Sequence, residues 1–321
     1  MATALLRNLS FILFLCACTS SRNSKQQESN YPHINTDTAQ PVIAAGQQPG
    51  SLMDLPQSQH GGFVLSSGFY EASFKTYCLQ PGTPDPSPGD AYLQGNITGY
   101  RKDIVESILL NSRSKPRIDQ RNIQLLLWSV VNGSDFNKLS YPVQSDAMQL
   151  LTAKQIFELK GGVMGVIKTV SNTTGLLSAN KDMQRLFETG TASYEAFEKI
   201  AVLKEPSQVK RRGVKYDTWY KQPEGYYIRY FPVNYKQVRI QLYVPDGLLD
   251  AEGKLNGEYI VFDPTGKQAI PAFTNAQKLG VGAPVIDIVR IIIKVGEKPR
   301  EPRKMPEPVK RPAPPVKQAS Y

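Results

Sequence analysis

Tyr226-Tyr227-Ile228-Arg229-Tyr230-Phe231 and Val238-Arg239-Ile240-Gln241-Leu242-Tyr243-Val244 decide the fold. Aromatic and β-branched residues dominate both runs, the composition that fits a pleated, half-buried surface. Eight of the sixteen tyrosines fall between Tyr216 and Tyr259. Pro245-Asp246-Gly247, Leu255-Asn256-Gly257 and Pro264-Thr265-Gly266 punctuate the region like hairpin turns. Val285 to Val295 is almost continuously apolar and reads as a final long strand. Residues 206–295 are therefore expected to form an antiparallel β domain, sandwich-like or barrel-like. Its tyrosines either offer stacking faces to sugars or serve as ordinary strand residues.

Upstream, the periodicity changes. Residues 141–205 read as a helical connector. Ser145 caps a segment containing Met148, Leu150, Leu151, Ile156 and Leu159, and Gly161-Gly162 breaks it. Val163 to Val170 and Ser193 to Leu203 are further helix candidates. Residues 51–140 read as a mixed α/β module. Phe63 to Leu79 has strand character, and the proline-rich run from Pro81 to Gly89 is a loop. Asp103 to Leu110 carries an apolar stripe. Pro116 interrupts, and a second helix from Asp119 to Val131 starts on an Asp N-cap. The expected class is α+β, with a polar tether over 18–50 and a Pro- and Lys-rich tail over 296–321.

Charge bounds the partners. The chain of 321 residues carries a formal +10. From Lys294 to Tyr321 there are eight Lys/Arg and three Asp/Glu, so half of the excess lies on the tail. That distribution argues against a basic nucleic-acid-binding face on the folded part. The tail suits either contact with anionic envelope polymers or simple solvation.

The amino terminus resembles a bacterial lipoprotein signal: Arg7, an apolar run from Leu9, then Leu15-Cys16-Ala17-Cys18. The run is shorter than the about 20 residues a spanning helix needs. The resemblance implies removal of residues 1–17 and acylation of Cys18. Thr19, standing where an Asp would signal inner-membrane retention, implies the outer membrane. The implied partners are the membrane, through the lipid anchor, and a protein or glycan surface.

Removal of Cys16 and acylation of Cys18 leave Cys78 as the single thiol, in a compartment where cysteines normally pair. Three readings of it stand. A Cys–His pair needs a nearby base, and the chain has only His33 and His60. The same scarcity of histidine speaks against zinc, and no motif calls for a cofactor. A small buried hydrophobe is the second reading. The third is an internal thioester with a glutamine. Tyr77-Cys78-Leu79 and Ile123-Gln124-Leu125-Leu126-Leu127-Trp128 resemble the two motifs of the thioester domains of bacterial surface adhesins. Ile123 stands where that family has Thr, and Leu126 where it has Ala. The resemblance covers about residues 63–135. It implies a bond between Cys78 and Gln124, shielded by Tyr77 and Trp128. The helical offset puts Trp128 one turn from Gln124 on the same face. The expected activity is binding or attachment, not turnover; a non-covalent envelope subunit is the alternative.

Overall fold

The computed structural model describes residues 38–99, 101–161, 174–190, 193–208 and 217–286. Its elements lie in one compact unit, Met1–Pro284; Val285–Tyr321 forms the other. The first strands are β1 (Gly50–Ser51), β2 (Phe63–Val64), β3 (Gly68–Cys78), β4 (Thr83–Pro84) and β5 (Tyr92–Asn96). Helices α1 (Lys102–Ser112), α2 (Gln120–Asn132), α3 (Tyr141–Leu150), α4 (Ala153–Leu159), α5 (Thr174–Glu188) and α6 (Tyr194–Ala201) follow. The chain then returns through β6 (Val202–Leu203), β7 (Tyr220–Lys221), β8 (Tyr227–Asn234), β9 (Gln237–Val244), β10 (Val261–Phe262), β11 (Lys267–Pro271) and β12 (Leu279–Pro284). The class is α+β.

The main sheet has eight strands in the order β5-β11-β12-β3-β9-β8-β7, with β1 pairing β3 in parallel. The residues expected as an N-terminal module and those expected as a β domain thus contribute strands to one sheet. β3, from the first, lies between β12 and β9, from the second. The sheet is curved enough that the Tyr230 hydroxyl on β8 donates to Gln94 Oε1 on β5, at 2.6 Å. The two tyrosine-rich runs form the β8–β9 hairpin. Tyr220, Tyr226, Tyr230 and Tyr235 are buried, so these tyrosines mainly fill the core.

The helix starts follow local chemistry. The Asp119 side chain accepts from Arg121 N–H and caps α2, which ends on Gly133 at φ 68, a left-handed residue that glycine adopts without strain. Ser193 caps α6. Ser145 does not act as the expected cap: it lies inside α3, whose N-cap is Ser140 with Pro142 in the first turn. The expected single segment splits at Leu151, because Thr152 and Gln155 form a capping box that begins α4.

Three further expectations meet the structure at their edges. Ordered chain begins ahead of Ser51. Thr38 bridges Tyr220, the Val42 carbonyl accepts from the Tyr243 hydroxyl at 2.7 Å, and Gly50–Ser51 pairs with Tyr70–Glu71. The last described strand is Leu279–Pro284, ahead of the apolar run from Val285. That strand needs its glycines. A Cβ on Gly282 would meet the Tyr77 ring at 2.7 Å, and one on Gly280 would meet Leu109 at 2.9 Å. The lipoprotein signal with Cys18, the run Val163–Val170, residues 287–295 of the expected final strand and the basic tail lie outside the described residues.

Candidate functional site

Strand β3 changes partner along one edge. From Gly68 to Lys75 it pairs with β9, Lys75 facing Gln237. Past Lys75 the β8–β9 hairpin turns, and only the Lys236 carbonyl still reaches the strand, accepting from Thr76 N–H at 2.8 Å. Side chains of α2 then take over the edge. Gln120 Nε2 donates to the carbonyls of Thr76 (3.1 Å) and Lys236 (2.8 Å). One turn on, Gln124 Oε1 accepts from Cys78 N–H at 2.8 Å, while its Nε2 donates to the Cys78 carbonyl at 3.0 Å. The carboxamide therefore reproduces both bonds of a missing strand residue. Its orientation is fixed, because an N–H can face only an oxygen and a carbonyl only an NH₂.

The site is dry. Cys78, Tyr77 and Trp128 are fully buried and Gln124 is 1% exposed. Cys78 is a free cysteine. Burial pushes its thiol up to about 12; the Trp128 indole and the Gln80 backbone N–H act in the opposite sense, and Asp85 adds a further upward push. The sulfur is thus a thiol at neutral pH, protected from oxidants that need thiolate. The Trp128 Nε1–H and the Tyr77 hydroxyl meet no acceptor at full hydrogen-bond geometry. The Trp128 indole thus meets no oxygen or nitrogen acceptor and faces the Cys78 sulfur, while the Tyr77 hydroxyl is buried without a partner on the other face of β3. Three of the four residues singled out in the sequence are brought together: Gln124 clasps Cys78 and Trp128 packs beside its sulfur, whereas Tyr77 only precedes it in the strand.

Beyond Trp128 lies a cluster that sequence reasoning missed. Tyr194 on α6 stacks on the Trp128 ring, centroids 5.6 Å apart. The Tyr194 and Tyr235 hydroxyls share a 2.7 Å hydrogen bond, and the Tyr235 hydroxyl donates to Glu198. Glu198 pairs with Lys236 Nζ at 2.9 Å. Asp85, in the proline-rich loop, accepts from Tyr235 N–H at 2.9 Å. Burial raises the Glu198 carboxyl, but hydrogen bonds from Lys236 and Tyr235 outweigh it and bring the group below its ordinary range. Asp85 goes the other way, raised chiefly by burial. One signal was available: Tyr194 and Glu198 are four apart in Tyr194-Glu195-Ala196-Phe197-Glu198, hence on one helical face. Their meeting with Tyr235 and Lys236 was not, because that pair sits in a hairpin turn about forty residues on.

Other candidates fall apart or take structural roles. His60 is exposed, and its carbonyl accepts from Arg113; the groups acting on the thiol are Trp128, Gln80 and Asp85. Among the described residues no three His, Cys, Asp or Glu side chains gather as metal ligands, and no helix is long and apolar enough to cross a membrane. Asp90 closes a turn on Ser87 and binds Ser207. Gln277, a second buried glutamine, ties the proline-rich loop to α6 through the carbonyls of Thr83 and Ala201. No protein-family model, no curated protein and no solved structure matches this chain.

Proposed function

We propose that this chain is a lipid-anchored protein of the outer membrane or cell surface that attaches covalently to amine-bearing partners through a Cys78–Gln124 thioester. The observation that carries the reading is the seat of the Gln124 carboxamide on the Cys78 backbone, inside a water-free site. The chemistry follows from that seat. Cys78 Sγ attacks Gln124 Cδ, and the Cys78 N–H that already faces Oε1 stabilises the developing oxyanion. The Cδ–Nε2 bond breaks, the thiol proton passes to the nitrogen, and ammonia leaves. A partner amine later attacks Cδ. The Cδ–Sγ bond breaks, an amide forms, and one amine proton restores the thiol. Exclusion of water by Trp128 and by Tyr194 stacked on it preserves the acyl group between the two steps. Acylation of Cys18 by fatty acid would hold the protein at the membrane; more than one chain is needed for stable anchoring.

The test is the intact mass of the full processed chain beside Cys78→Ala. Loss of one ammonia, absent in the variant and replaced by one methylamine on incubation, is the expected result. A mass equal to the sequence plus its lipid, with a titratable thiol, would sink the mechanism. A second reading has its own observation. The same two hydrogen bonds complete the β3 edge without any chemistry, so the protein would then be a non-covalent subunit of an envelope assembly, with Gln124 purely structural.

A further inference from the structure

Two cations of the chain lie over the Tyr194 ring, the Arg121 guanidinium at 5.2 Å and the Lys236 ammonium, and of the two only Lys236 also reaches the Tyr235 ring and the Glu198 carboxylate. Lys236 Nζ lies 5.7 Å over the Tyr194 ring and 5.1 Å over the Tyr235 ring, and 2.9 Å from Glu198 Oε1. Two aromatic faces and one carboxylate are the recognition set for an alkylammonium ion. The walls of this seat are tied to one another: Tyr194 and Tyr235 are buried and joined through their hydroxyls, and Tyr235 also donates to Glu198. The occupant is less so: the Lys236 side chain is 42% exposed. The carboxyl is held below its ordinary range, so Glu198 is ionised at neutral pH. The seat also shares a wall with the Cys78 site, since the Tyr194 ring that covers Lys236 on one side stacks on Trp128. Trp128 in turn packs beside the Cys78 sulfur.

We propose that Tyr194, Tyr235 and Glu198 form a receptor for a primary alkylammonium group, occupied at rest by Lys236, and that the partner presents a lysine side chain which displaces it. The proposal deepens the thioester reading and rests on it for the covalent step. A lysine from the partner replaces Lys236 against Glu198, the ammonium loses one proton to solvent at this partly exposed position, and the freed amine is positioned at the shield beside Trp128. Attack on Gln124 Cδ then forms the isopeptide, and the second proton lost from nitrogen ends on Cys78 Sγ. Lys236 is thus a built-in competitor that keeps the shield closed until a lysine of higher local concentration arrives.

Two variants of the full chain separate the possibilities, with n-butylamine as the alkylammonium probe and hydroxylamine, neutral at pH 7, as the control nucleophile. Glu198→Gln should slow the uptake of n-butylamine about 10-fold relative to hydroxylamine, the loss of one charge-assisted contact. Lys236→Gln should speed n-butylamine uptake relative to hydroxylamine. Equal changes for both probes in both variants would overturn the proposal. A readout independent of the thioester keeps the two readings apart. In Lys236→Ala, n-butylammonium should shift the tyrosine ring NMR signals saturably, and Lys236→Ala/Glu198→Gln should abolish this. Shifts that saturate in a protein lacking the ammonia loss would refute the thioester and leave the receptor standing. An ammonia loss with non-saturating shifts would do the reverse.

Discussion

The two halves of the β3 edge show two ways to satisfy the same backbone. From Gly68 to Lys75 the strand is bonded to another strand, and its N–H and C=O groups are satisfied whatever the side chains are. Beyond Lys75 the Thr76 N–H keeps a backbone partner in the Lys236 carbonyl, but the Thr76 carbonyl and both Cys78 backbone groups depend on two glutamine side chains, Gln120 and Gln124. Side-chain identity is nearly irrelevant to hydrogen bonding in the first half and decisive in the second. A strand end finished by a carboxamide is fragile to substitution. It also places a primary carboxamide, whose leaving group is ammonia, on the backbone of a cysteine, which no backbone partner does.

Substitutions should separate the halves by size of effect. Gln124→Leu keeps the volume and leaves the Cys78 N–H and C=O unpaired in a dry interior; the loss should be about 2–4 kcal/mol in chemical denaturation. A loss below ~1 kcal/mol would mean that the strand end relaxes onto another partner. Gln120→Ala strips the Thr76 carbonyl of its partner and weakens the hold on Lys236, at a partly buried position. About 1–2 kcal/mol is expected, read from the same melts. On the strand-paired half, Glu71 binds Arg239 and Gln241 at 34% side-chain exposure. Glu71→Ala should cost less than ~1 kcal/mol, because surface ion pairs are screened and the ladder beneath is untouched. The smallest effect is in acid. Glu198 has a folded-state pKa below its ordinary value, so the stability it contributes is present above its unfolded pKa and is lost as pH falls through the folded one. The Tm gap between the native chain and Glu198→Gln should therefore narrow between roughly pH 6 and pH 3. Asp85, raised by burial, runs the other way and is common to both proteins.

Much of the local structure was legible in the sequence. The tyrosine-rich runs, the Asp119 cap, the helix expected from Ser193 and the turn glycines form where the pattern puts them, because each rests on contacts within a few residues. Cys78 and Gln124 were singled out from their neighbours alone, and the fold brings them into contact across 46 residues. The Leu279–Pro284 strand was not legible: Leu-Gly-Val-Gly-Ala-Pro has weak strand preference, and it becomes a strand because Tyr77 and Leu109 need the space its glycines leave. The α3–α4 break was misplaced because Thr152 and Gln155 compete with a continuous apolar period.

The sequence by itself determined the α+β class, the extents of α1 and α2, and the pairing of Cys78 with the glutamine that meets it; α5 (Thr174–Glu188) was not among the helices it singled out. Only the tertiary structure decided that strands from both ends of the chain share one sheet, that the Gln124 carboxamide serves as a strand edge, and that Tyr194, Tyr235, Glu198 and Lys236 converge. The reason is one of range. Periodicity, capping and turn preference act within a turn or a hairpin. Pairings between residues forty to two hundred positions apart are chosen by burial of the whole core, which no local pattern encodes.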